Sequence, residues 1–283
     1  MVAQLTVRRS AEARWAGWIL LLPAALLLAL FFVVPLGLMV QTSLRDGLGT
    51  YREIFTSPIY GLVLGNTLRT AVLTTLFCLL LAYPYAYVLT RVGSRMRLLM
   101  LGIVLLPFWT SLLVRSFAWV GLLQDSGILN GALRALGIID EPLQLIRTPL
   151  GVLIGMVHVL LPYMVLPLVT TMGQIDPSVL RAAGSLGAGP FRRFFRVFLP
   201  LSLPGVLSGS VLVLVLSLGF YITPALLGDA RDAMIGETIV QEVTRYGPVM
   251  ASALGLVLLV GTLVSLALLL ALRRIGSDRR IVR

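Results

Sequence analysis

The chain has 283 residues, 58% of them hydrophobic and only 12% charged, and its 23 basic residues against 12 acids leave a formal net charge of +11. Soluble domains average about 45–50% apolar and about 25% charged residues, so this composition excludes a soluble globular protein. Every basic residue is arginine and lysine is absent; this excludes a Walker A nucleotide site and a Schiff-base enzyme within the chain, since both need a lysine amine.

A bilayer core about 30 Å thick takes roughly 20 apolar residues at 1.5 Å each, and six runs of that order are present. The first, 16–40, follows Arg8, Arg9 and Arg14. It is too long for the roughly 7–15-residue apolar region of a secretory signal and reads as a retained helix. The second, 67–90, carries Arg69 near its start and the lone cysteine, Cys78, so no disulfide forms within the chain. The third, 98–123, contains Pro107, Trp109, Thr110, Ser111, Arg115 and Trp119. The fourth, 150–173, holds the single histidine, His158. No acid shares its membrane depth, so it reads as a packed polar residue and not a proton relay. The fifth, 204–227, ends with Tyr221, Thr223 and Pro224, and the sixth covers 249–272. The expected architecture is all-α: a polytopic membrane protein with six transmembrane helices over 16–272, a connecting loop at 173–203, and tails at 1–15 and 273–283.

Arginine is retained on the cytoplasmic side of a membrane, so its distribution sets the orientation. The two tails and the loops at 91–97 and 173–203 hold fifteen arginines and three acids, a net +12. The opposite segments hold six arginines and nine acids, a net −3, and Arg69 and Arg115 lie within spans. The reading is an inner-membrane, multi-pass protein with both termini cytoplasmic. The basic character is then a matter of sidedness, and nucleic acid is not an expected partner.

Within the loop at 173–203, Asp176 is a good N-cap and Pro177 suits the first helical position, which predicts a short helix from Pro177 to about Leu186. Gly187 stands where a left-handed C-terminal residue is wanted, and Gly189-Pro190 stops any continuation. Beyond it Phe191, Phe194, Phe195 and Phe198 follow helical spacing, with Arg192, Arg193 and Arg196 between them. One reading is an amphipathic helix lying among anionic headgroups. The other is insertion into a partner's groove, which suits the small residues Ala182, Ala183, Gly184, Ser185 and Gly187.

The pattern Arg181-Ala182-Ala183, then Gly187, Val197 and Leu199-Pro200, resembles the EAA loop of the inner-membrane permease subunits of ATP-binding-cassette (ABC) importers. Arg181 departs from that family's Glu and Val197 from its Ile. Asn66-Thr67-Leu68, Leu106 to Ser111, Arg115 to Trp119, Leu161 to Leu168 and Ile222 to Gly228 further resemble the spermidine/putrescine branch. The resemblance implies a type I importer (MetI-like) permease fold and a coupling helix that docks on an ATPase. It also implies a homologous second permease, two cytoplasmic ATPase subunits that use ATP and Mg, and a periplasmic or extracellular substrate-binding protein. The chain itself would hold no cofactor. The implied cargo is a polyamine, while related branches carry thiamine, ferric iron or anions such as sulfate.

A polyamine site needs acids or aromatic faces, each cation–π contact contributing about 0.5–2 kcal/mol. No acid lies within the predicted spans. Trp109, Trp119 and Tyr221, beside Thr110, Ser111 and Thr223, are candidates for a translocation pathway, with packing or interface-belt roles as the alternative. Pro107 and Pro224 could free backbone carbonyls locally. Arg115 is costly in a membrane and is expected to face the protein interior, paired with carbonyls or an acid of a partner. The outward acids Asp229, Asp232, Glu237 and Glu242 could attract a cation or sit on an ordinary solvated loop. A secondary transporter would need intramembrane acids, and an enzyme would need HExxH, GxSxG or a cluster of acids or cysteines for a metal; none is present in the sequence.

Overall fold

The computed structural model describes residues 11–278, with side-chain surroundings from 21 to 267. Arg8, Arg9, Arg279, Arg280 and Arg283 of the predicted tails lie outside the described residues. Among the described residues the structure is helical, with no strand. In order the helices are α1 Ala11–Ser43, α2 Gly49–Thr56, α3 Pro58–Leu89, α4 Ser94–Leu105, α5 Leu112–Leu123, α6 Ile128–Ala135 and α7 Pro149–Gly173. They continue as α8 Pro177–Ser185, α9 Pro190–Arg193, α10 Leu199–Leu218, α11 Ile222–Leu227, α12 Ile235–Arg245 and α13 Pro248–Asp278.

Six stretches are long and apolar enough to cross a membrane: 21–43, 58–89, 112–135, 149–173, 190–218 and 248–267. Two of the predicted runs differ from these stretches in where their helices begin and end. The run 98–123 is not one helix: α4 ends in a 3₁₀ turn over Leu106–Trp109, Thr110 is extended, and α5 starts afresh at Leu112. Pro107 carries no N–H for an α-helical bond, and its carbonyl instead takes the Thr110 hydroxyl at 3.1 Å. By length and composition the apolar stretch that follows is α5 with α6, and Asp125 lies exposed in the non-helical break between these two helices. The fifth span begins at Pro190 and ends at Leu218, where Gly219 stops α10 and Tyr221 leaves helical geometry before α11.

The core is a three-helix unit of α3, α7 and α10. Cys78, Ala82 and Ala86 of α3, Met156, Leu160, Met164 and Leu168 of α7, and Val213 of α10 are sealed within it. In lipid, helices associate through close packing more than through hydrophobic exclusion, which favours small residues at the contact. α10 follows this. A methyl group at Gly205 would fall 3.0 Å from the Pro167 carbonyl oxygen and 2.8 Å from Thr171 Cβ, and one at Gly209 would fall 2.6 Å from Met164 Sδ. Tyr83 of α3 and Ser202 of α10 share a 2.9 Å hydrogen bond across the neighbouring seam.

A second cluster joins α2, the start of α3, α12 and α13 through Ile54, Tyr60, Val63, Ile235, Ala253 and Leu254. The Thr67 hydroxyl of α3 holds α12 in place by accepting the Ile235 backbone N–H at 2.8 Å. α1 packs on α13, while Leu28, Phe31 and Phe32 of α1 stay exposed. So broad an apolar surface is suited to lipid or a partner chain and not to water.

Candidate functional site

The connecting loop is built from local signals. Asp176 Oδ1 accepts the Ser178 backbone N–H at 2.8 Å, and Pro177 opens α8. Hydrogen bonding from Ser178 holds the Asp176 carboxyl below its ordinary range. At the other end, Ala188 N–H donates to the Ala183 carbonyl and Gly187 N–H to the Gly184 carbonyl, both at 3.0 Å, with Gly187 at φ +81°. That is a Schellman ending, and Gly187 is the residue whose left-handed backbone permits it.

α8 has two sides. Arg181, Ala182, Ser185 and Leu186 are exposed, and Leu186 keeps 89% of its surface. Leu180, Ala183 and Gly184 turn inward, where the Arg193 side chain lies against Gly184. The loop positions of the motif therefore divide. Arg181, Ala182 and Gly187 are on the outside, whereas Val197, Leu199 and Pro200 are half-buried in the helix that becomes α10.

The link between the two halves is a π-helical turn over Phe194–Phe198, in which Leu199 N–H donates to the Phe194 carbonyl. The four phenylalanines do not form one aromatic face. Phe194 meets Tyr83 and Tyr87 edge-on at 6.2 and 5.6 Å, and Phe198 meets Tyr87 at 5.0 Å, while Phe191 and Phe195 remain 80% and 59% exposed. The pairs 194/198 and 191/195 each keep helical spacing but face different ways.

The predicted pathway candidates divide similarly. Trp109, in the break before α5, is 79% exposed, Tyr221, in the break before α11, is 43% exposed, and Thr110 and Ser111 are also at the surface. Thr223 is fully buried, its Oγ1 lying 3.1 Å from Ser116 Oγ. It fastens α11 to α5. Trp119 is half-buried and donates from Nε1 to His158 Nδ1 at 3.1 Å, so both rings belong to the packing between α5 and α7. Arg115 is half-buried, and its Nε is shut from solvent with no hydrogen-bond partner among the described residues, so the expected carbonyl does not reach that atom.

On the opposite face, the Glu242 carboxylate accepts from Tyr60 at 3.0 Å and Glu237 from Gln241 at 3.0 Å, while burial raises the Glu237 carboxyl. Asp232 lines a small cavity with Asn66, Arg69 and Thr70. Asp229 is exposed. Sequence reasoning missed the Ser116–Thr223 contact and the π turn. The first joins residues far apart in the chain, and the second was hidden by spacing that also fits an α-helix.

A family profile described as "Binding-protein-dependent transport system inner membrane component" matches residues 18–279. The spermidine/putrescine transport system permease protein PotB of Haemophilus influenzae is 36% identical, over 88% of this chain and 88% of the relative. PotB of Escherichia coli is also 36% identical, over 75% of this chain and 81% of its own. The inner membrane ABC transporter permease protein YdcU of Escherichia coli is 32% identical, over 81% and 76%. Among solved structures, a chain of a bacterial alginate ABC transporter, crystallised with an alginate pentasaccharide-bound periplasmic protein, superposes with a TM-score of 0.76. It is 20% identical, covering 93% of this chain and 95% of that one, a likeness of fold.

Proposed function

The chain belongs to the family of binding-protein-dependent transport system inner membrane components and is a permease subunit of an ABC importer, and we propose that its cargo is a polyamine, spermidine or putrescine. The observation carrying this is the likeness to PotB at 36% identity over 88% of both chains. The exposed rings of Trp109 and Tyr221, each at a helix break, are faces a flexible polycation can use. Asp125, exposed between α5 and α6, adds a carboxylate. Arg115 tucks its Nε inside the protein, which keeps part of its charge away from a cationic cargo.

The subunit forms half of the pathway, with a homologous second permease supplying the other half and a periplasmic or extracellular binding protein delivering the cargo. Two ATPase subunits bind ATP and Mg, and one of them docks on the outer side of α8 with Arg181, Ala182 and Leu186 as its contact. This chain supplies no catalytic group to hydrolysis; it has no lysine for a phosphate loop. The +12 face that carries α8 is cytoplasmic, as are both termini.

Docking strain passes inward by rigid contacts. α8 is fixed at both ends by its caps, Arg193 lies against it, and Phe194 and Phe198 transmit displacement to Tyr83 and Tyr87 of α3. The test is reconstitution of the assembled transporter in vesicles, with uptake of labelled spermidine, putrescine, thiamine, ferric iron and sulfate measured in parallel. Polyamine uptake dependent on ATP and on the binding protein is the expected result. Uptake of one of the other solutes in its place rejects the cargo, and uptake without ATP rejects the importer reading.

A further inference from the structure

On the inner side of α8, among the residues that pass docking strain inward, lies a cavity of about 170 Å³ to which the coupling reading assigns no occupant. Tyr87 and Arg91 line it from the end of α3, Leu180 from α8, and Arg193, Phe194 and Phe198 from the start of the fifth span. Its polar wall is cationic. The Arg91 guanidinium stands 4.2 Å above the Tyr87 ring centroid and 5.8 Å from that of Phe198. Arg193 Nε is closed off from solvent and has no hydrogen-bond partner among the described residues. No acidic side chain lines the space. A buried guanidinium donor left unpaired is costly, and two guanidiniums facing one cavity repel each other unless an anion sits between them.

The cavity is also amphipathic. Leu180, Phe194 and Phe198 make an apolar wall beside the arginines, at the end of a helix long enough to span the bilayer. Lipid headgroups lie at the ends of such helices, and basic pockets between transmembrane helices are suited to anionic headgroups. Arginine's planar fork matches phosphate oxygens in pairs. The ATPase has its own surface on the opposite side of α8, where Arg181, Ala182 and Leu186 are exposed.

We propose that this cavity is a phosphate-binding site, with Arg91 and Arg193 as the ligands and the headgroup of an anionic phospholipid as the occupant. The phosphate bridges the end of α3 to the base of α8, so the lipid stiffens the junction through which docking strain passes. The site does not depend on the identity of the cargo.

The full chain is purified in neutral detergent, exposed to mixed phosphatidylglycerol and phosphatidylcholine, and its retained lipid read by native mass spectrometry. The wild type should retain phosphatidylglycerol preferentially. Arg91→Gln and Arg193→Gln should each lower that retention about tenfold, the loss of one charge-assisted contact, while Arg192→Gln, exposed on the same short helix, leaves it unchanged. If Arg193→Gln does not fold, Arg91→Gln decides alone, since that side chain is exposed beyond the end of α3. Inorganic phosphate that displaces the lipid, with the displacement lost in Arg91→Gln, supports the site but names free phosphate as its occupant. Equal loss in Arg192→Gln means diffuse charge and overturns the proposal. Loss of the lipid when the ATPase subunits assemble also overturns it, because the cavity then belongs to the docking surface.

Discussion

Ser116 and Thr223 face each other through hydroxyl oxygens 3.1 Å apart, with 1% and 0% of their surfaces exposed. They are the polar fastening between α5 and α11, the two helices that follow breaks in the chain. Thr223→Val keeps the shape and removes one partner, leaving a buried hydroxyl unsatisfied at a cost of about 1–3 kcal/mol. The Ser116→Ala, Thr223→Val double variant removes both and should recover part of that loss. Thermal unfolding of the four proteins of this cycle in one detergent measures the coupling, and strictly additive single losses would show that the contact contributes nothing.

Gly205 and Gly209 both sit under α7, but with different neighbours. A methyl at Gly205 meets the Pro167 carbonyl at 3.0 Å and the stiff Thr171 Cβ at 2.8 Å, whereas at Gly209 the nearest atom is the sulfur of Met164, on an unbranched side chain, and the nearest backbone atom is the Met164 carbonyl at 3.2 Å. Gly205→Ala should therefore destabilise by about 1–3 kcal/mol, the range for overpacking, and Gly209→Ala by less. The order of the two midpoints of thermal unfolding checks this.

Much of the architecture is legible because it rests on local rules. Apolar length gives the spans, and Asp176-Pro177 with Gly187 gives α8 to within a residue, since an N-cap and a left-handed ending are properties of a few adjacent residues. What was not legible depends on partners distant in the chain. Hydropathy is blind to the break at Pro107, where the run stays apolar while the helix stops. Thr223 is polar inside a predicted span, but its contact with Ser116, more than a hundred residues away, has no signal in the sequence. Arg91 and Arg193 are about a hundred residues apart, and no spacing rule brings them to one cavity.

Glu237 gives a pH signature on the face opposite α8. Burial raises its folded-state pKa, against the weaker opposing effect of the Gln241 hydrogen bond. A raised carboxyl favours the folded protein in its protonated form. The contribution is fully present below the ordinary glutamate pKa of about 4.3 and is lost as pH rises through the higher folded value. Glu237→Gln should flatten stability against pH over that window and leave the protein more stable at neutral pH. An unchanged pH profile of the unfolding midpoint would contradict the burial of this group.

Trp109 tests the pathway separately from assembly. Its ring is 79% exposed, so Trp109→Ala removes little internal packing. If the ring holds a cation in transit, its loss should weaken uptake by about 2- to 30-fold, the equivalent of one cation–π contact of 0.5–2 kcal/mol. Trp109→Phe should retain part of the activity. Uptake kinetics at equal subunit yield decide it, and identical kinetics for all three proteins would take Trp109 out of the pathway.

Gly187 separates backbone geometry from steric bulk. Nothing lies within 4 Å of a methyl placed there, yet its φ is +81°. Any loss on substitution must then come from the left-handed backbone, which costs an ordinary residue about 1–2 kcal/mol and a β-branched one more. Gly187→Val should pull apart the two hydrogen bonds that end α8 and abolish cargo uptake while the subunit still inserts and ATP hydrolysis by the partner no longer responds to loaded binding protein. Gly187→Asn, tolerant of the left-handed region, should transport far better than Gly187→Val despite its larger polar side chain. Cargo-stimulated hydrolysis measured beside uptake distinguishes the cases: equal impairment of the two variants would mean that the side chain itself disturbs docking, and normal transport by Gly187→Val would remove the loop from coupling.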